Sequence, residues 1–464
     1  MKKFKSIIIL ALTMFMALSL VGCGDTTTEE PSGDEQGKVL NIWAWNEEFK
    51  GLFENYFVDA GLLPDDVEVK FTIVPSDDNA YQNALDEALQ SQDSASANEK
   101  IDLFLLEADY ALKYVESDYT LDIKDVGLTA DDIKDQYKYT QEIVTDSNGS
   151  IKGSSWQATP GLFAYRRSIA NDVLGTDDPV AVQEALETWD KFYEIAEDAA
   201  GKGYKMLSGF DDSYRTFSNN MSNPWVDADK NIIVDDNIVT WIEQTKDFTD
   251  KGYNNKSSLW DDQWSADQGP GGNVFGFFYS TWGINFTLLG NALETPLPDG
   301  VSPTADAEAF AEATEGNGLF GDYAVVTGPQ NYYWGGSWLT AAKGSDNLDL
   351  VQEIMRVMTT NEETLTKITK DTQDFTNNEV AMGKLAANDD FASAFLGGQN
   401  HIKLFAESAK GIDMSNISPY DQGLNEQIQT SFSDYFNGTV DYDTAMDNFY
   451  KAAIEIYPEL NRPE

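Results

Sequence analysis

The sequence contains very few of the residues on which nucleophilic enzymes depend. Its 464 residues include one cysteine, Cys23, and one histidine, His401. A single cysteine excludes an internal disulfide bond, so the fold must depend on its core alone. A single histidine excludes Ser-His and Cys-His chemistry except through His401, and the preceding Gly398, Gln399 and Asn400 provide no serine. We therefore interpret His401 as a structural residue.

Short motifs for cofactors and metals are absent or lie in the wrong context. The sequence has no H-E-x-x-H zinc helix and no P-loop. Residues 316–321 match G-x-G-x-x-G, but a helical pattern precedes them and a strand follows, the reverse of a dinucleotide-binding turn. Residues 227–231 resemble a calcium loop, yet Ile232 and Ile238 stand where glycine and glutamate are required, so a hairpin turn fits better. We expect no cofactor and no metal.

Basic residues are scarce relative to acidic ones. Lysine and arginine number 31 against 79 aspartates and glutamates, and the formal net charge is −48. Phosphate contacts need clustered basic side chains, so nucleic acid is excluded as a partner. The acids are spread along the chain, which favours a role in solubility, although attraction of a cationic ligand stays open. A carboxylate pair for glycoside hydrolysis also stays open, because so many acids provide many pairs.

Long apolar runs are also scarce, and the longest begins the chain. Three lysines within the first five residues precede an apolar run from Ile7 to Val21, and Gly22-Cys23 follows. A membrane span needs roughly 20 apolar residues, so this run is too short. The pattern predicts a secretory signal peptide over residues 1–22. Its end resembles a bacterial lipobox, which predicts a lipid on the thiol of Cys23.

The segment that follows Cys23 predicts a flexible tether. Residues 24–37 contain no apolar side chain and include proline, serine and glycine. Such a composition cannot bury enough surface to fold. We expect residues 23–37 to connect the lipid to an ordered region that begins at Lys38.

Strand and helix patterns then alternate. Strands are predicted over residues 39–45, 67–74 and 101–106, and helices over residues 47–60, 77–92 and from 110 onward. This alternation indicates a parallel sheet with helices on its faces. Ligands bind such sheets at the carboxyl ends of strands. Those ends carry residues 45–47, 75–77 and 107–110, which locates a candidate site.

Aromatic residues are abundant, with 11 tryptophans and 21 tyrosines. Their rings can stack on the C–H faces of sugar rings while nearby polar side chains bind the hydroxyls. Trp45 lies at a strand end. Four other tryptophans lie beside glycine, serine, threonine or proline, as loop and hinge residues do: Trp156, Trp282, Trp334 and Trp338. For each of them, packing in the core is the alternative interpretation.

Several segments resemble the family 1 extracellular solute-binding lipoproteins of bacterial carbohydrate ABC transporters. The segments are residues 155–170 (SWQATPGLFAYRRSIA), 211–226 (DDSYRTFSNNMSNPWV), 275–288 (FGFFYSTWGINFTL), 332–339 (YYWGGSWL), 396–405 (LGGQNHIKLF) and 420–426 (YDQGLNE). No single segment is decisive. Their order along the chain, together with the lipobox, carries the resemblance.

The resemblance implies an α/β fold of the two-lobed, periplasmic-binding-protein-like type II class. Each lobe is expected to be a mainly parallel sheet flanked by helices, and a hinge joins the lobes. The N-terminal lobe would take residues 38–156 plus about 335–372, and the C-terminal lobe about 157–334 plus 373–464. Crossings between them are expected near residues 157–163, 327–336 and 374–377.

The resemblance also implies a ligand held between the lobes. The residues carried over by position are Trp45, Asn46, Glu107, Asp109, Trp156, Gln157, Asp211, Tyr214, Arg215, Trp282, Trp334 and Trp338. Trp260 and Trp264 receive less weight, because that segment varies within the family.

The function implied is capture of a sugar or oligosaccharide, hinge closure and delivery to ABC permease subunits, with no bond made or broken. The protein is expected to be a monomer on the outer face of a Gram-positive membrane, anchored through Cys23. Two alternatives stay open. One is an importer component that binds a polyamine or basic peptide, because acids and aromatic rings also suit cations. The other is a surface glycoside hydrolase.

Overall fold

A computed structural model of the protein describes residues 37–298, 300–302 and 307–463. The predicted signal peptide, Cys23 and almost all of the tether lie outside these residues. The strands are β1 Val39–Ala44, β2 Glu68–Ile73, β3 Leu103–Glu107, β4 Gly161–Arg166, β5 Gly276–Ser280, β6 Tyr323–Val326 and β7 Ser337–Ala341.

The helices alternate with these strands and then dominate the C-terminal part. The first ten are α1 Glu48–Phe53, α2 Ala80–Gln90, α3 Ala111–Val115, α4 Ile123–Val126, α5 Lys138–Glu142, α6 Arg167–Leu174, α7 Pro179–Leu186, α8 Trp189–Gly201, α9 Tyr214–Ser218 and α10 Asp236–Lys251. The others are α11 Asp262–Asp267, α12 Thr281–Gly283, α13 Leu289–Ala292, α14 Ala307–Thr314, α15 Leu348–Thr359, α16 Glu362–Thr372, α17 Glu379–Ala386, α18 His401–Ser408, α19 Asp421–Phe436 and α20 Tyr442–Ile456. Two π-helical turns, Glu54–Val58 and Ile284–Leu288, follow α1 and α12.

The first sheet has the strand order β2-β1-β3-β7. Strand β1 pairs in parallel with both β2 and β3, as the alternation of strands and helices predicts. Strand β7 pairs antiparallel with β3, and Ser337 lies opposite Glu107. The carboxyl ends of β1, β2 and β3 therefore meet at one edge, and the start of β7 arrives at the same edge.

Both faces of the first sheet are covered by apolar side chains. Along β3, Leu103 and Leu105 point into one cluster, while Phe104 and Leu106 point into another. This alternation follows from the two-residue period of a strand. The first cluster contains Val351, Ile354, Met355 and Met358 from α15, and the second contains Tyr81, Leu85 and Leu89 from α2. Helices on both faces are what a buried parallel sheet requires.

The second sheet corrects the expectation of mainly parallel pairing in each lobe. Its order is β5-β4-β6, and β4 is antiparallel to both neighbours. Every residue of β4, β5 and β6 is buried. Fully buried strands are continuous apolar runs without alternation, so the sequence holds no signal for their direction.

The predicted crossing segment at residues 157–163 contacts both of the other predicted crossing segments. Gln157 pairs with Thr376, and Pro160 pairs with Tyr333, each through an isolated antiparallel bridge. The backbone nitrogen of Trp334 donates to the carbonyl of Thr159 at 3.1 Å. These bridges connect segments that are distant in the chain. The lobe boundaries given above stay a prediction.

The structure agrees with the sequence interpretation of residues 227–231, residues 316–321 and His401, none of which was assigned to a metal, cofactor or catalytic site. Val226 pairs antiparallel with Ile232, so residues 227–231 form the turn of a hairpin. The glycine motif at 316–321 lies between α14 and β6. His401 is fully buried, and its Nε2 lies 2.8 Å from the carbonyl oxygen of Gln373. In the described part of the chain, none of the helices has the length and apolarity that a bilayer span requires.

The close approach of the crossing segments generates a prediction about Gly161. A Cβ atom at this position would lie 2.0 Å from the ring of Tyr332. Because that ring is buried and cannot move aside, we expect Gly161→Ala to lower the free energy of unfolding by about 1–3 kcal/mol. Urea denaturation followed by circular dichroism measures the change.

Gly201, the last residue of α8, provides the matched control. A Cβ atom there meets nothing within 4 Å. Gly201→Ala is expected to leave the stability unchanged or to raise it by up to about 1 kcal/mol. Equal stabilities of the two variants would contradict the close packing of Gly161.

Candidate functional site

The edge where β1 and β3 end carries the first group of candidate residues. Trp45 follows β1 and lies half-buried, edge-on to Tyr81 at 5.8 Å and to Tyr110 at 6.2 Å between ring centroids. The Asn46 side-chain oxygen accepts from the backbone nitrogen of Glu48 at 3.1 Å. Asn46 therefore lies in the turn just before α1, and Glu48 is the first residue of that helix.

An ion pair joins this edge to α9. Both guanidinium NH2 groups of Arg215 donate to the carboxylate of Asp109, and the Nη1–Oδ1 distance is 2.5 Å. About four-fifths of each side chain is shielded from water, with exposures of 17% and 20%. A planar, two-bonded pair of this kind fixes direction as well as distance. This ion pair brings together two of the residues named in the sequence analysis, Asp109 and Arg215.

Glu107 lies beside this ion pair. Its Oε2 accepts from the backbone nitrogen of Asp109 at 2.9 Å. Burial raises the pKa of Glu107 to about 8, the negative charge of Asp109 adds to the rise, and Arg215 opposes it. Near neutral pH, Glu107 is therefore able to donate as well as accept hydrogen bonds.

Four tryptophans form the tryptophan cluster of the candidate site: Trp260, Trp264, Trp282 and Trp334. Trp260 and Trp282 lie nearly parallel, with centroids 6.0 Å apart and an interplanar angle of 14°. Trp282 meets Trp334 edge-on at 5.2 Å, and its Nε1 donates to the carbonyl of Trp334 at 3.0 Å. Trp260 is 55% exposed, so the cluster presents an aromatic face to solvent.

Trp260 is held in an unfavourable backbone conformation. Its φ is +73°, in the left-handed region that costs about 1–3 kcal/mol for such residues. Its ring packs 5.1 Å from that of Trp264, whose Nε1 donates to Asp212 at 2.9 Å. Asp211 accepts from the backbone nitrogen of Leu259 at 3.3 Å, next to Trp260. Strain that neighbouring contacts maintain is typical of functional positions.

Gly335 connects the tryptophan cluster to Glu107. A Cβ atom on Gly335 would lie 3.1 Å from Nε1 of Trp282 and 3.8 Å from Oε1 of Glu107. Its φ of +73° also favours glycine. The cluster and the strand-end carboxyls therefore line the same site.

Two more carboxyls lie at the crossing segments. Nε2 of Gln157 donates to Oε1 of Glu48 at 3.1 Å, and Asp374 interacts electrostatically with Glu48. Neighbouring groups remove part of the hydration of Glu48 and so raise its pKa, and the negative charge of Asp374 adds to the rise, while much of the residue stays exposed to water. Burial likewise raises the pKa of Asp374 to about 6. The site thus combines an exposed aromatic face with several carboxyls.

The structure sorts the twelve candidate residues into two groups. Nine form the contacts described above at the candidate site: Trp45, Asn46, Glu107, Asp109, Gln157, Asp211, Arg215, Trp282 and Trp334. The other three are core residues, each 1% exposed: Trp156, Tyr214 and Trp338.

Each of these three core positions is a correction with a clear physical reason. The Trp156 ring packs 5.2 Å from that of Phe49 under the first sheet. Nε1 of Trp338 donates to the carbonyl of Thr140 at 2.8 Å. The Tyr214 ring lies 4.7 Å from Trp241, and its hydroxyl donates to Asn425. These side chains support the surrounding elements.

The sequence analysis missed Glu48, Asp374 and Phe286 and gave Trp260 too little weight. Glu48 follows the strand-end residues directly, which is a signal that could have identified it. Phe286 is 78% exposed and 6.5 Å from Trp282. Its exposure cannot be inferred from the aromatic-rich segment that contains it.

A small cavity lies beside the Asp109–Arg215 ion pair. A cavity of about 40 Å³ is lined by Asp109, Arg215, Tyr333, Asp421 and Asn425, which is room for about one water molecule. This cavity is too small for a sugar ring. Among the described residues, no group of three or more histidine, cysteine or acidic side chains is arranged to hold a metal ion.

Comparison with known families gives one match that covers most of the chain. The model of a family described as bacterial extracellular solute-binding protein matches residues 64–393. No curated protein sequence matches the chain.

Solved structures share the fold at low sequence identity. An extracellular solute-binding protein of family 1 aligns with a TM-score of 0.69 and 18% identity, covering 89% of this chain and 99% of its own. An ABC-transporter-associated binding protein of B. animalis subsp. lactis, in complex with β-1,6-galactobiose, gives 0.65 and 16%, covering 92% and 100%. The GacH receptor of Streptomyces glaucescens, solved unliganded and with acarbose, gives 0.63 and 16%, again covering 92% and 100%. They confirm the predicted α/β fold class.

The raised pKa of Glu107 generates a prediction about stability and pH. Its pKa rises from an ordinary value of 4.5 to about 8 in the folded chain, so between these values the folded state holds the proton more tightly. Stability should therefore fall as the pH rises through this range. Glu107→Gln, which has no proton to lose, should reduce the slope. Urea unfolding at a series of pH values measures it.

Glu47→Gln is the matched control, because the Glu47 side chain is 67% exposed and pairs with Lys50. Its slope should equal that of the parent protein. An unchanged slope in Glu107→Gln would show that Glu107 is not proton-linked to folding.

Proposed function

This chain belongs to the bacterial extracellular solute-binding protein family, and from that premise we propose that it captures a sugar or oligosaccharide for an ABC importer. The ligand would lie at the candidate site, between the two predicted lobes. The family binds solutes rather than transforming them, so the glycoside hydrolase alternative loses its support.

The observation that carries this proposal is the exposed face of the tryptophan cluster beside a set of carboxyls. Sugar rings have an apolar C–H face and a rim of hydroxyl groups. Trp260 and Trp282 offer flat apolar surface, while Glu48 and Glu107 offer acceptors for hydroxyl hydrogens. A site of this composition fixes the orientation of its ligand through a few polar groups, and contact with the apolar surface contributes to the affinity for the ligand.

The relatives described above support a carbohydrate ligand. The Bifidobacterium protein holds a galactose disaccharide, and the Streptomyces receptor holds acarbose. Both are larger than one sugar ring. We propose an oligosaccharide for this chain also, because its aromatic surface extends from Trp260 through Trp282 to Phe286.

The mechanism we propose is closure about the crossing segments. Asp109 at the end of β3 and Arg215 on α9 belong to different predicted lobes, so their ion pair stabilises an arrangement in which the lobes meet. A ligand that contacts both sides shifts the population toward this arrangement through its differential affinity. The closed protein would then dock on membrane permease subunits as a monomer.

Placement outside the cell agrees with the family, and the lipid anchor is part of the proposal. Cys23 would carry the lipid, and residues 24–37 would give the binding domain its reach. Tethering raises the effective concentration of the loaded protein at a permease in the same membrane.

A polyamine or basic peptide remains the second candidate ligand. The observation that favours it is the excess of carboxyls over cations at the site. Arg215, which is paired with Asp109, is the cation described there, and the acids are Glu48, Glu107, Asp109, Asp211 and Asp374. Aliphatic amines do not need the flat aromatic faces, however, so the sugar proposal accounts for more of the site.

Trp260→Ala tests the proposed sugar site. Because the ring is 55% exposed, its removal should leave the stability nearly unchanged. We expect the dissociation constant for sugar to rise more than about tenfold, or about 1.4 kcal/mol, through loss of the stacking surface. Isothermal titration with β-1,6-galactobiose, acarbose and a panel of disaccharides and oligosaccharides identifies a ligand and then measures the change.

Tyr119→Ala is the control, since Tyr119 is another exposed ring and lies in the first predicted lobe. It should bind as the parent does. If Trp260→Ala binds as tightly as Tyr119→Ala, Trp260 is not part of the site. Heat evolved only with polyamines would overturn the sugar proposal.

Cys23→Ser tests the proposed anchor. Serine cannot accept the thioether-linked lipid, so the variant should move from the membrane fraction to the medium. Immunoblotting of both fractions measures the distribution, with a serine substitution in the tether, Thr26→Ser, as the control. Membrane retention of Cys23→Ser would contradict lipid attachment at that residue.

A further inference from the structure

Trp260 lies in a tight turn at a position that favours glycine. The backbone nitrogen of Asp261 donates to the carbonyl of Ser258 at 3.2 Å, which closes a four-residue turn over residues 258–261. Trp260 is the third residue of this turn, and its φ is +73°. A positive φ at the third residue of such a turn normally requires glycine or asparagine. A tryptophan keeps this conformation only while surrounding contacts maintain it.

Asp211 holds the first half of the turn. Its Oδ2 accepts from the backbone nitrogen of Leu259, the residue before Trp260, at 3.3 Å. This bond continues the pairing of two backbone segments, because the nitrogen of Phe210 donates to the carbonyl of Ser257 at 3.0 Å. The turn therefore extends from a segment that is already paired, and the Asp211 side chain adds the next bond.

Asp212 holds the residues that follow the turn. Its Oδ1 accepts from Nε1 of Trp264 at 2.9 Å, and its Oδ2 accepts from the backbone nitrogen of Gly209 at 2.6 Å. Asp212 and Trp264 are both buried, so water has little access to these bonds. The Trp264 ring packs 5.1 Å from that of Trp260. A shift of Trp264 would therefore move the surface on which Trp260 rests.

Asp261 fixes the local shape of the same segment. Its Oδ2 accepts from the backbone nitrogen of Ser258 at 2.9 Å, and its Oδ1 accepts from that of Trp264 at 2.7 Å. Both bonds lie within residues 258–264, so they do not tie the segment to another part of the fold. The bonds from residues 211–212 do so.

We propose that Asp211 and Asp212 are positioning residues that hold Trp260 in the orientation in which its ring stacks on a bound sugar. In this orientation the ring lies nearly parallel to that of Trp282, with centroids 6.0 Å apart. Without the two aspartates, the backbone at Trp260 can relax to a negative φ, which turns the side chain away from Trp282. The inference rests on the proposed function and adds two residues that act on the ligand through Trp260.

A ring that is held in place before binding gives a higher affinity than a mobile one. Binding to a mobile ring must restrict its rotamers, and this entropic cost corresponds to about threefold to tenfold in the dissociation constant. Loss of either aspartate should therefore weaken binding less than loss of the Trp260 ring itself.

Fluorine NMR of protein labelled with fluorotryptophan measures the position of the ring without a ligand. Each of the 11 tryptophans contributes a resonance, and the one missing from Trp260→Phe belongs to Trp260. In Asp211→Ala and Asp212→Ala this resonance should move by more than its linewidth toward its position in the urea-unfolded protein. The resonance of Trp241, which is buried in another apolar cluster, should stay in place.

Two further variants separate positioning from a general loss of stability. Asp211→Asn retains a side-chain oxygen that can accept from Leu259, so it should keep the parent resonance of Trp260. Asp146 accepts from the backbone nitrogens of Asn148 and Ser150 in a different turn. Asp146→Ala should lower the stability without moving the Trp260 resonance. Thermal unfolding verifies that each variant is folded.

Isothermal titration then relates the position of the ring to affinity, with the sugar that the parent protein binds most tightly among the disaccharides and oligosaccharides named above. Asp211→Ala and Asp212→Ala should each raise the dissociation constant about threefold to tenfold. In a Trp260→Ala background, the same substitutions should raise it no further, because residues that act through Trp260 then have no ring to position. A merely structural role would weaken binding equally in both backgrounds.

The spectra and the titrations fail separately. A Trp260 resonance that keeps its parent position in the folded alanine variants overturns the positioning role. A shifted resonance with an unchanged dissociation constant also overturns it, as does a further loss of affinity in the Trp260→Ala background. If the parent binds no sugar, the proposed function is overturned, and the spectra alone decide whether Asp211 and Asp212 hold the ring.

Discussion

The antiparallel pairing of β7 with β3 is the constraint on which the candidate site depends. It places Ser337 opposite Glu107, so the chain enters β7 at the edge where the parallel strands end. The residues just before β7 must then pass close to the Glu107 carboxyl, and Gly335 at φ +73° allows this. Trp334 is carried to the same edge, and its carbonyl accepts from Trp282. One register thus brings the tryptophan cluster and the strand-end carboxyls together.

Charge at this edge is distributed unevenly. Arg215 and Asp109 satisfy each other, and breaking a shielded pair of this kind is costly because one charge is left without its partner. The remaining carboxyls have no such partner, and burial raises the pKa values of Glu107 and Asp374. A chain of net charge −48 has acids in excess everywhere, but on its open surface water screens them. Only inside the site does the excess become a constraint on what can bind.

The sequence predicts the first sheet well because its elements alternate in period and its strands end in polar residues. The predicted strand over residues 67–74 contains β2, and the predicted helix over residues 77–92 contains α2. The location of each tryptophan is harder to predict from the sequence, since Trp334 and Trp338 have the same kind of neighbours in the chain. Trp338 lies within β7 and points into the core, while Trp334 precedes the strand at the edge. Glu48 directly follows the strand-end residues but also resembles an ordinary acid at a helix start, and its contact with Gln157, far along the chain, shows its place.

Two features of the site make separate demands on a ligand, and together they are more selective than either alone. The parallel rings of Trp260 and Trp282, one of them held at positive φ, favour a flat, partly apolar ring. The excess of carboxyls favours positive charge. A neutral sugar meets the first demand, whereas a polyamine meets the second and leaves the aromatic face uncovered. The flat aromatic face is the demand that an aliphatic amine does not meet, so a sugar accounts for more of the site.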